Sequence, residues 1–373
     1  MTSDLFPNFG DSIGVYVHVP FCASPCSYCA FYKELPRKPL LKSYVSVLEE
    51  EWKMRHCSEP IGTVFFGGGT PSLLSCSAFH KIRQFLPIDP KILVEWTVEC
   101  NPSTLSLEKL QTFADIGVTR ISLGVQSFSE KFLGILGRRQ SAAQIFHAYD
   151  MLRKFSFDVN LDLIFSIPGQ RLRHWEEDLK TAVQLGPDHI SAYHLTLEKG
   201  TKFTEKYATR VGSGERFHRL AVSYLVSSGM EHYEVSNFAK KGKRCIHSVN
   251  TWRMGEWLAI GPSGASQYRG RRFQNISNLE KWMDGIFQKN PIEVEVQAID
   301  QSTLLEDTII FGLRMRDGIP LATMDLMECS KSQKYRCKFS QWCDAGLLKK
   351  TATHYALTDR GMLLADALAL EIL

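Results

Sequence analysis

Cys22, Cys26 and Cys29 stand in the run Tyr16-Val-His18-Val-Pro-Phe-Cys22-Ala-Ser-Pro25-Cys26-Ser-Tyr28-Cys29, three thiols within eight residues directly after an apolar stretch. A structural zinc site closes with four ligands, whereas three thiolates on a four-iron cluster leave one iron open to bind something else. Pro25 and the tight spacing disfavour a helix, and an irregular loop can aim backbone N–H groups at cluster sulfides. Zinc, with His18 or a distant cysteine as fourth ligand, is the competing reading.

Further along, Gly67-Gly68-Gly69-Thr70 offers successive N–H groups that can bind an anion such as an amino-acid carboxylate, or else forms a tight turn. Glu99 can accept hydrogen bonds from an ammonium or a ribose, while Gln126 and Arg138 supply donors for a ribose or a carboxylate. Asp162 is a charge inside an otherwise apolar run, so it needs a polar cavity or a partner.

The elements that must position these groups repeat. Strand-like runs occupy 13–19, 63–66, 94–100, 120–126, 158–167 and 189–197, with helical patterns at 39–56, 105–116, 141–155 and 173–185. Alternation at roughly 30 residues per unit is the sign of a parallel sheet built from βαβ crossovers. Six units suit a partial barrel or an open α/β sheet, whose ligand sites lie at the carboxyl ends of the strands. The cysteines, the glycines, Glu99 and Gln126 all fall at or just past such ends, so they should share one rim with Asp162.

After about residue 202 the pattern changes to a helix at 214–228 and then an irregular segment, 231–268, rich in Gly, Trp and Tyr. From about residue 303, helices plus a β-wing suggest a winged-helix-like module.

With 44% hydrophobic and 23% charged residues, and no apolar stretch near bilayer length, the 373-residue chain reads as soluble, without an integral membrane segment. The start lacks a positive segment and an apolar stretch of signal type, which places the protein in the cytoplasm. A reducing compartment makes a tight cysteine cluster metal-binding rather than disulfide-forming. The remaining seven of the ten cysteines (Cys57, Cys76, Cys100, Cys245, Cys329, Cys337, Cys343) lack ligand spacing and read mostly as small core hydrophobes. A net charge of +4 gives no support to a nucleic-acid partner.

Seven stretches together resemble the radical S-adenosylmethionine (SAM) superfamily, and within it the group of oxygen-independent coproporphyrinogen III oxidases and HemW-type haem chaperones. They are 16–22, Phe65-Phe-Gly-Gly-Gly-Thr-Pro-Ser72, 99–102, Ser122-Leu-Gly-Val-Gln-Ser-Phe128, 136–138, Asp162-Leu-Ile-Phe-Ser-Ile-Pro-Gly169 and Tyr233-Glu-Val-Ser-Asn237. The resemblance implies an α/β fold, a partial (βα)6 TIM-like barrel of the radical SAM type with a C-terminal winged-helix-like α+β module. The expected division is 1–205 for the barrel, 206–300 for an extension with a haem- or substrate-facing segment, and 301–373 for the terminal module.

The resemblance also implies that Cys22, Cys26 and Cys29 hold a 4Fe-4S cluster whose open iron is chelated by the amino and carboxylate groups of SAM. Tyr16 and the Tyr28 backbone would contact SAM beside the cluster, and Gly68, Gly69 and Thr70 would bind its methionine moiety. Glu99, Gln126, Arg138 and Asp162 match further SAM contacts. The implied chemistry is one-electron reduction of the cluster, from a flavodoxin or ferredoxin-type donor, and cleavage of SAM to methionine and a 5′-deoxyadenosyl radical.

Within the group, the oxidases place another Cys two residues after the third cluster cysteine, where this chain has Phe31. That, with only 15 residues before Tyr16, favours the haem-chaperone branch, which binds haem and transfers it to haem-requiring apoproteins. Cys245-Ile-His247-Ser-Val-Asn250-Thr-Trp252 resembles the chaperones' His-Asn-x-x-Tyr-Trp region, with Ser248 for the Asn and Thr251 for the Tyr, and makes His247 the candidate haem ligand. In Gly261-Pro-Ser-Gly-Ala-Ser266, Ala265 stands where a related motif has His. The alternative is the oxidase reaction, decarboxylation of coproporphyrinogen III to protoporphyrinogen IX. The basic runs 240–244 and 269–272 read as solvated turns or as partners for porphyrin propionates, Trp252 and Trp257 read as core or pocket wall, and monomer and homodimer both stay open.

Overall fold

The computed structural model describes residues 12–198, 200–207, 214–326 and 332–373. Six parallel strands run β1 (Ile13–Val19), β2 (Ile61–Gly68), β3 (Glu95–Cys100), β4 (Arg120–Gln126), β5 (Asp158–Phe165) and β6 (His189–His194), each beside the next. Between them pass α1 (Lys38–Arg55), α2 (Cys76–Phe85), α3 (Leu107–Ile116), α4 (Glu130–Leu136), α5 (Ala142–Leu152) and α6 (Leu172–Leu185). Alternate residues explain the layering, because successive side chains of a strand point to opposite faces. Val15, Val17, Val64, Phe66, Trp96, Val98, Ile121, Leu123, Val159 and Leu161 are buried in the main core with the helices. The intervening set is polar: Thr97, Glu99, Ser122, Asn160, Asp162, His189 and Ser191 line an interior chamber.

The helices start where the sequence satisfies their free N–H groups. Ser75, Ser106 and Ser141 accept from Ala78, Lys109 and Gln144, and Gln144 returns the bond to complete a capping box. Two of these helices, α2 and α4, fall outside the helical stretches expected from the sequence.

The sheet does not stop at six strands. After α7 (Lys202–Tyr207) and α8 (Glu215–Ser227), a hairpin of β7 (Glu231–His232) and β8 (Asn237–Ala239) adds antiparallel to β6. Then, past α9 (Ile246–Trp252), β9 (Trp257–Ile260) pairs parallel with β1 at the opposite edge. β10 (Ala265–Tyr268), β11 (Arg271–Asn275) and β12 (Glu293–Ala298) complete a 12-stranded sheet, with α10 (Leu279–Gln288) packed on α1. The segment expected to be irregular thus holds four short strands and a helix.

Glu51 holds this extension in place. Its buried carboxylate accepts from Arg55, Gly261 N–H (2.7 Å), Asn275 Nδ2 (2.7 Å) and Trp282 Nε1 (3.1 Å). A buried carboxylate this fully bonded fixes geometry, since removing any donor would leave it uncompensated.

The C-terminal region has its own core of Leu305, Ile309, Tyr335, Phe339, Trp342, Leu348, Leu357 and Met362. It comprises α11 (Gln301–Gly312), β13 (Ile319–Pro320), α12 (Leu321–Leu326), α13 (Ser332–Asp344), β14 (Leu348–Lys350), β15 (His354–Leu357), α14 (Asp359–Met362) and α15 (Ala365–Ile372). The three strands form an antiparallel sheet in the order β13-β15-β14, the expected helices-plus-wing arrangement. Backbone bonds from Val235 N–H to Arg314 and from Arg316 N–H to Tyr233 join it to the barrel extension.

One expectation about side chains is corrected. Of the seven other cysteines only Cys100 and Cys245 are buried; Cys57, Cys76 and Cys343 are half-buried, Cys337 is exposed, and Cys329 lies outside the described residues. Residues of the basic runs pair with acids at the surface: Lys243 with Asp158, Arg244 with Glu231 and Asp317, Arg269 with Glu59, Arg271 with Glu293 and Arg272 with Asp307.

Candidate cofactor site

The cysteine loop leaves β1 and closes on itself through Cys22 N–H to Glu34 O (2.9 Å) and Glu34 N–H to Pro20 O (2.7 Å). Its three thiols are half-buried. Thr70 Oγ1 donates to Cys22 Sγ at 3.7 Å, and Arg138 Nη1 donates to Cys26 Sγ at 3.3 Å, so one residue past the end of β2 and one past the end of α4 already reach the sulfurs. Lys33 Nζ donates to the Cys29 carbonyl. Burial pushes the Cys22 and Cys29 thiols up, and neither deprotonates readily until a cation compensates the thiolate.

The glycine segment ends β2 beside this loop. Gly69 N–H donates to Val19 O and Thr70 N–H to Phe21 O, both at 2.8 Å. A side chain at Gly69 would collide with backbone atoms of Val19, Pro20 and Phe21 within 2.8 Å, so only glycine permits the two segments to touch. Gly68 adopts φ +103°, the left-handed region, with His18 against it. Burial pulls His18 down to about 4, which keeps its imidazole neutral.

Tyr16, Gly67 and Glu99 meet on the chamber side: a Cβ on Gly67 would lie 3.0 Å from the Tyr16 hydroxyl and 3.1 Å from Glu99 Oε1. Burial, then the nearby Asp162, pushes Glu99 up to about 8 despite the Gly68 N–H that favours its ionised form. Asp162 is also raised by burial, although Ser122 donates to Oδ2 at 2.8 Å and Asn160 Nδ2 to Oδ1 at 2.9 Å. Arg138 Nη2 donates to Gly124 O (2.7 Å), while a β-bulge turns Gln126, with φ 70°, to the same side. Tyr28 packs its ring against Phe132, Leu136 and Ile164.

Tyr16, the cysteines, Gly68, Gly69, Thr70, Glu99, Gln126, Arg138 and Asp162 therefore surround one mouth, with Tyr28 in the same loop. His247 is not among them. It sits deeper, 7% exposed, its Nδ1 2.8 Å from Thr63 Oγ1 and its ring against Phe65. Burial lowers it to about 4.

Below the mouth lies the chamber, with an empty volume of about 380 Å3, its opening included. Four buried polar atoms around mouth and chamber have no hydrogen-bond partner: Thr97 Oγ1, Arg120 Nη1, Arg138 Nε and Asn237 Oδ1. Buried polar atoms are nearly always paired, so these and the raised carboxyls mark a place built for a polar ligand. Three thiols, glycines that admit close approach and an opposed set of carboxyl and guanidinium groups fit a cluster with an amino-acid-bearing, cationic cofactor.

The chamber's lower lining was not anticipated. Thr97, Ser122, Asn160, His189, Ser191 and Tyr193 carried a readable signal: polar residues at every second position of otherwise apolar strands. A bonded chain runs through it, from Asp162 to Asn160, from Asn160 Oδ1 to His189 Nδ1 (2.7 Å), and from His189 Nε2 to the Tyr233 hydroxyl (2.8 Å).

The description of the radical SAM superfamily matches residues 16–182, and that of the HemN C-terminal domain matches 299–364. Over 355 residues the chain is 32% identical to the protein named heme chaperone HemW of Synechocystis, covering 88% of this chain and 84% of that one. The HemW protein of Mycobacterium tuberculosis is 30% identical over 396 residues, covering 99% and 97%. This chain belongs to the HemW family of the radical SAM superfamily. HemW membership implies a 4Fe-4S cluster and SAM, in line with the donor set at the mouth. Escherichia coli coproporphyrinogen III oxidase (HemN) shares the HemW-type fold seen here, with a TM-score of 0.84 and 20% identity over 98% of this chain and 91% of that one. Among the described residues no helix is long and apolar enough to cross a membrane.

Proposed function

We propose that the protein binds haem and hands it to haem-requiring apoproteins, using the mouth to hold a 4Fe-4S cluster on Cys22, Cys26 and Cys29. Tyr16, the Tyr28 backbone, Gly68, Gly69, Thr70, Glu99, Gln126, Arg138 and Asp162 are the proposed SAM contacts. When bound, the cluster supplies one-electron chemistry toward SAM. The chain's own residues bind and orient: Arg138, whose Nε has no partner, suits a carboxylate, the glycines allow close approach of the methionine part, and Glu99 and Asp162 suit an ammonium or ribose.

The observation that carries the chaperone reading is the likeness along nearly the whole chain to proteins named heme chaperone, at 32% and 30% identity over 88% and 99% of this chain. Phe31, standing where the oxidases place a further Cys, supports the same reading.

His247 remains the proposed haem ligand. It is neutral at ordinary pH, the state that ligates iron, and in the tautomer that donates from Nδ1 to Thr63 its Nε2 keeps a lone pair. Because it is buried, α9 must shift to present it. We further propose a cytoplasmic setting, a flavodoxin or ferredoxin-type electron donor, and the division 1–205, 206–300 and 301–373.

Anaerobic cluster reconstitution, followed by haem titration and transfer to an apo-cytochrome, tests the proposal. Haem absorbance bands and their movement to the acceptor are expected. Absence of haem binding with and without cluster would overturn the reading, and turnover of coproporphyrinogen III to the divinyl product would replace it with the oxidase reaction.

A further inference from the structure

Phe31, two residues past the last cysteine, is 68% exposed, and Leu35 is 57% exposed. Large apolar side chains gain by leaving water, so two of them exposed on one short loop make a candidate contact face. Both belong to the loop that carries the cysteines, which Cys22–Glu34 and Glu34–Pro20 backbone bonds hold in place. The apolar pair is therefore exposed on the same closed loop as the thiols.

Its surroundings are basic. Lys33, Arg37, Lys38 and Lys42 lie within residues 23–43, where Glu34 is the lone acid, so this stretch carries 4 − 1 = +3 of the chain's net +4. Glu34 is turned inward, its carboxylate accepting from the Tyr32 hydroxyl at 2.7 Å. Lys38 and Lys42 are exposed one turn apart at the start of α1. Arg37 faces Glu280 across 3.7 Å, with both side chains about two-thirds exposed (64% and 67%), a pair that a partner can compete for. Arg139 adds a further exposed cation where Ser27 of the cysteine loop bonds to Leu136.

Two exposed apolar side chains followed by exposed cations, on and just after the loop that carries the thiols, fit a partner with an apolar patch flanked by carboxylates. Resting on the cluster reading above, we propose that Phe31, Leu35, Arg37, Lys38 and Lys42 form the docking face for an acidic one-electron-carrier protein. One electron passes from the carrier's reduced flavin or iron–sulfur centre, which is oxidised by one unit, to the cluster, which is reduced by one unit. Complementary charge accelerates encounter by up to about 10–1,000-fold and is lost as salt rises.

The test uses the full chain, reconstituted anaerobically, with a reduced flavodoxin as probe and dithionite as a small-molecule control. K38E/K42E is expected to weaken flavodoxin binding and slow cluster reduction by it at least tenfold at low salt. Wild type and variant should converge near 1 M salt, where the screening length is about 3 Å. Phe31→Ser should weaken binding several-fold without that salt dependence. Reduction by dithionite, iron content and SAM binding should stay unchanged in both. Equal flavodoxin binding and equal rates in wild type and K38E/K42E would overturn the proposal. Loss of haem binding in Phe31→Ser with carrier binding intact would overturn it too, by assigning the face to haem. If no iron is incorporated by the wild type, the cluster reading has failed, and calorimetric binding of flavodoxin to the iron-free chain and to K38E/K42E still decides the docking face.

Discussion

Glu95 and Glu99 stand four residues apart on the same face of β3, yet only one of them is committed to structure. Glu95 accepts from Arg120 Nε at 2.9 Å and from the N–H groups of Ile246 and His247 at 3.0 Å, capping α9 and closing the barrel floor. Glu99 has one backbone donor, Gly68, and a neighbouring acid, so burial leaves it mostly protonated at neutral pH. A buried carboxylate surrounded by donors holds a fold together; one facing a chamber with too few donors awaits a ligand to supply them. The same contrast separates the barrel floor from its mouth.

The sharpest way to break the comparison is at the floor. Glu95→Ala should destabilise the protein by about 3–5 kcal/mol, because it removes the closest carboxylate from the buried Arg120 guanidinium and frees the start of α9, whereas Glu99→Gln should not lower the denaturation midpoint. Chemical denaturation of both variants checks this, and equal losses would erase the distinction. At the mouth the order reverses. Glu99→Gln should weaken SAM binding roughly tenfold or more, since a hydrogen bond to a charged group is worth about 1.5–3 kcal/mol, as measured by calorimetry on the reconstituted protein.

The smallest expected effect is the dependence on pH. With Glu99 at about 8, a cationic ligand that needs the carboxylate must displace a proton, so SAM affinity should rise about fivefold between pH 7 and pH 8 and level off above. Glu99→Gln should flatten that rise. Stability runs the other way. The unfolded carboxyl ionises near its ordinary 4.5 and the folded one only near 8, so the folded state holds the extra proton in between. Stability from this group is therefore complete below about 4.5 and declines as pH rises to 8.

Much of the mouth was legible because it is local. Cys22, Cys26 and Cys29 lie within eight residues, and Gly68, Gly69, Thr70, Glu99 and Gln126 sit at or just past strand ends, where a parallel sheet brings them to one edge whatever the connecting lengths. Helices α2 and α4 were missed, being short and close to the glycine- and serine-rich turns before them. The extension was read as irregular because β7 to β11 are two to five residues long, too short for a periodic pattern.

By itself, then, the sequence determined the six parallel strands, the three-thiol loop, the ring of polar groups at the strand ends and the helical end with its wing. Those properties follow from short-range spacing and from the fixed alternation of side chains along a strand. Only the tertiary structure decided that β9 pairs with β1, that Glu51 clamps the extension, and that Glu95 is consumed by α9 while Glu99 stays available. It also decided that His247 lies behind Phe65 rather than at the mouth. Each of these depends on segments 150 to 250 residues apart meeting in space, and no local pattern records which donor reaches which buried carboxylate.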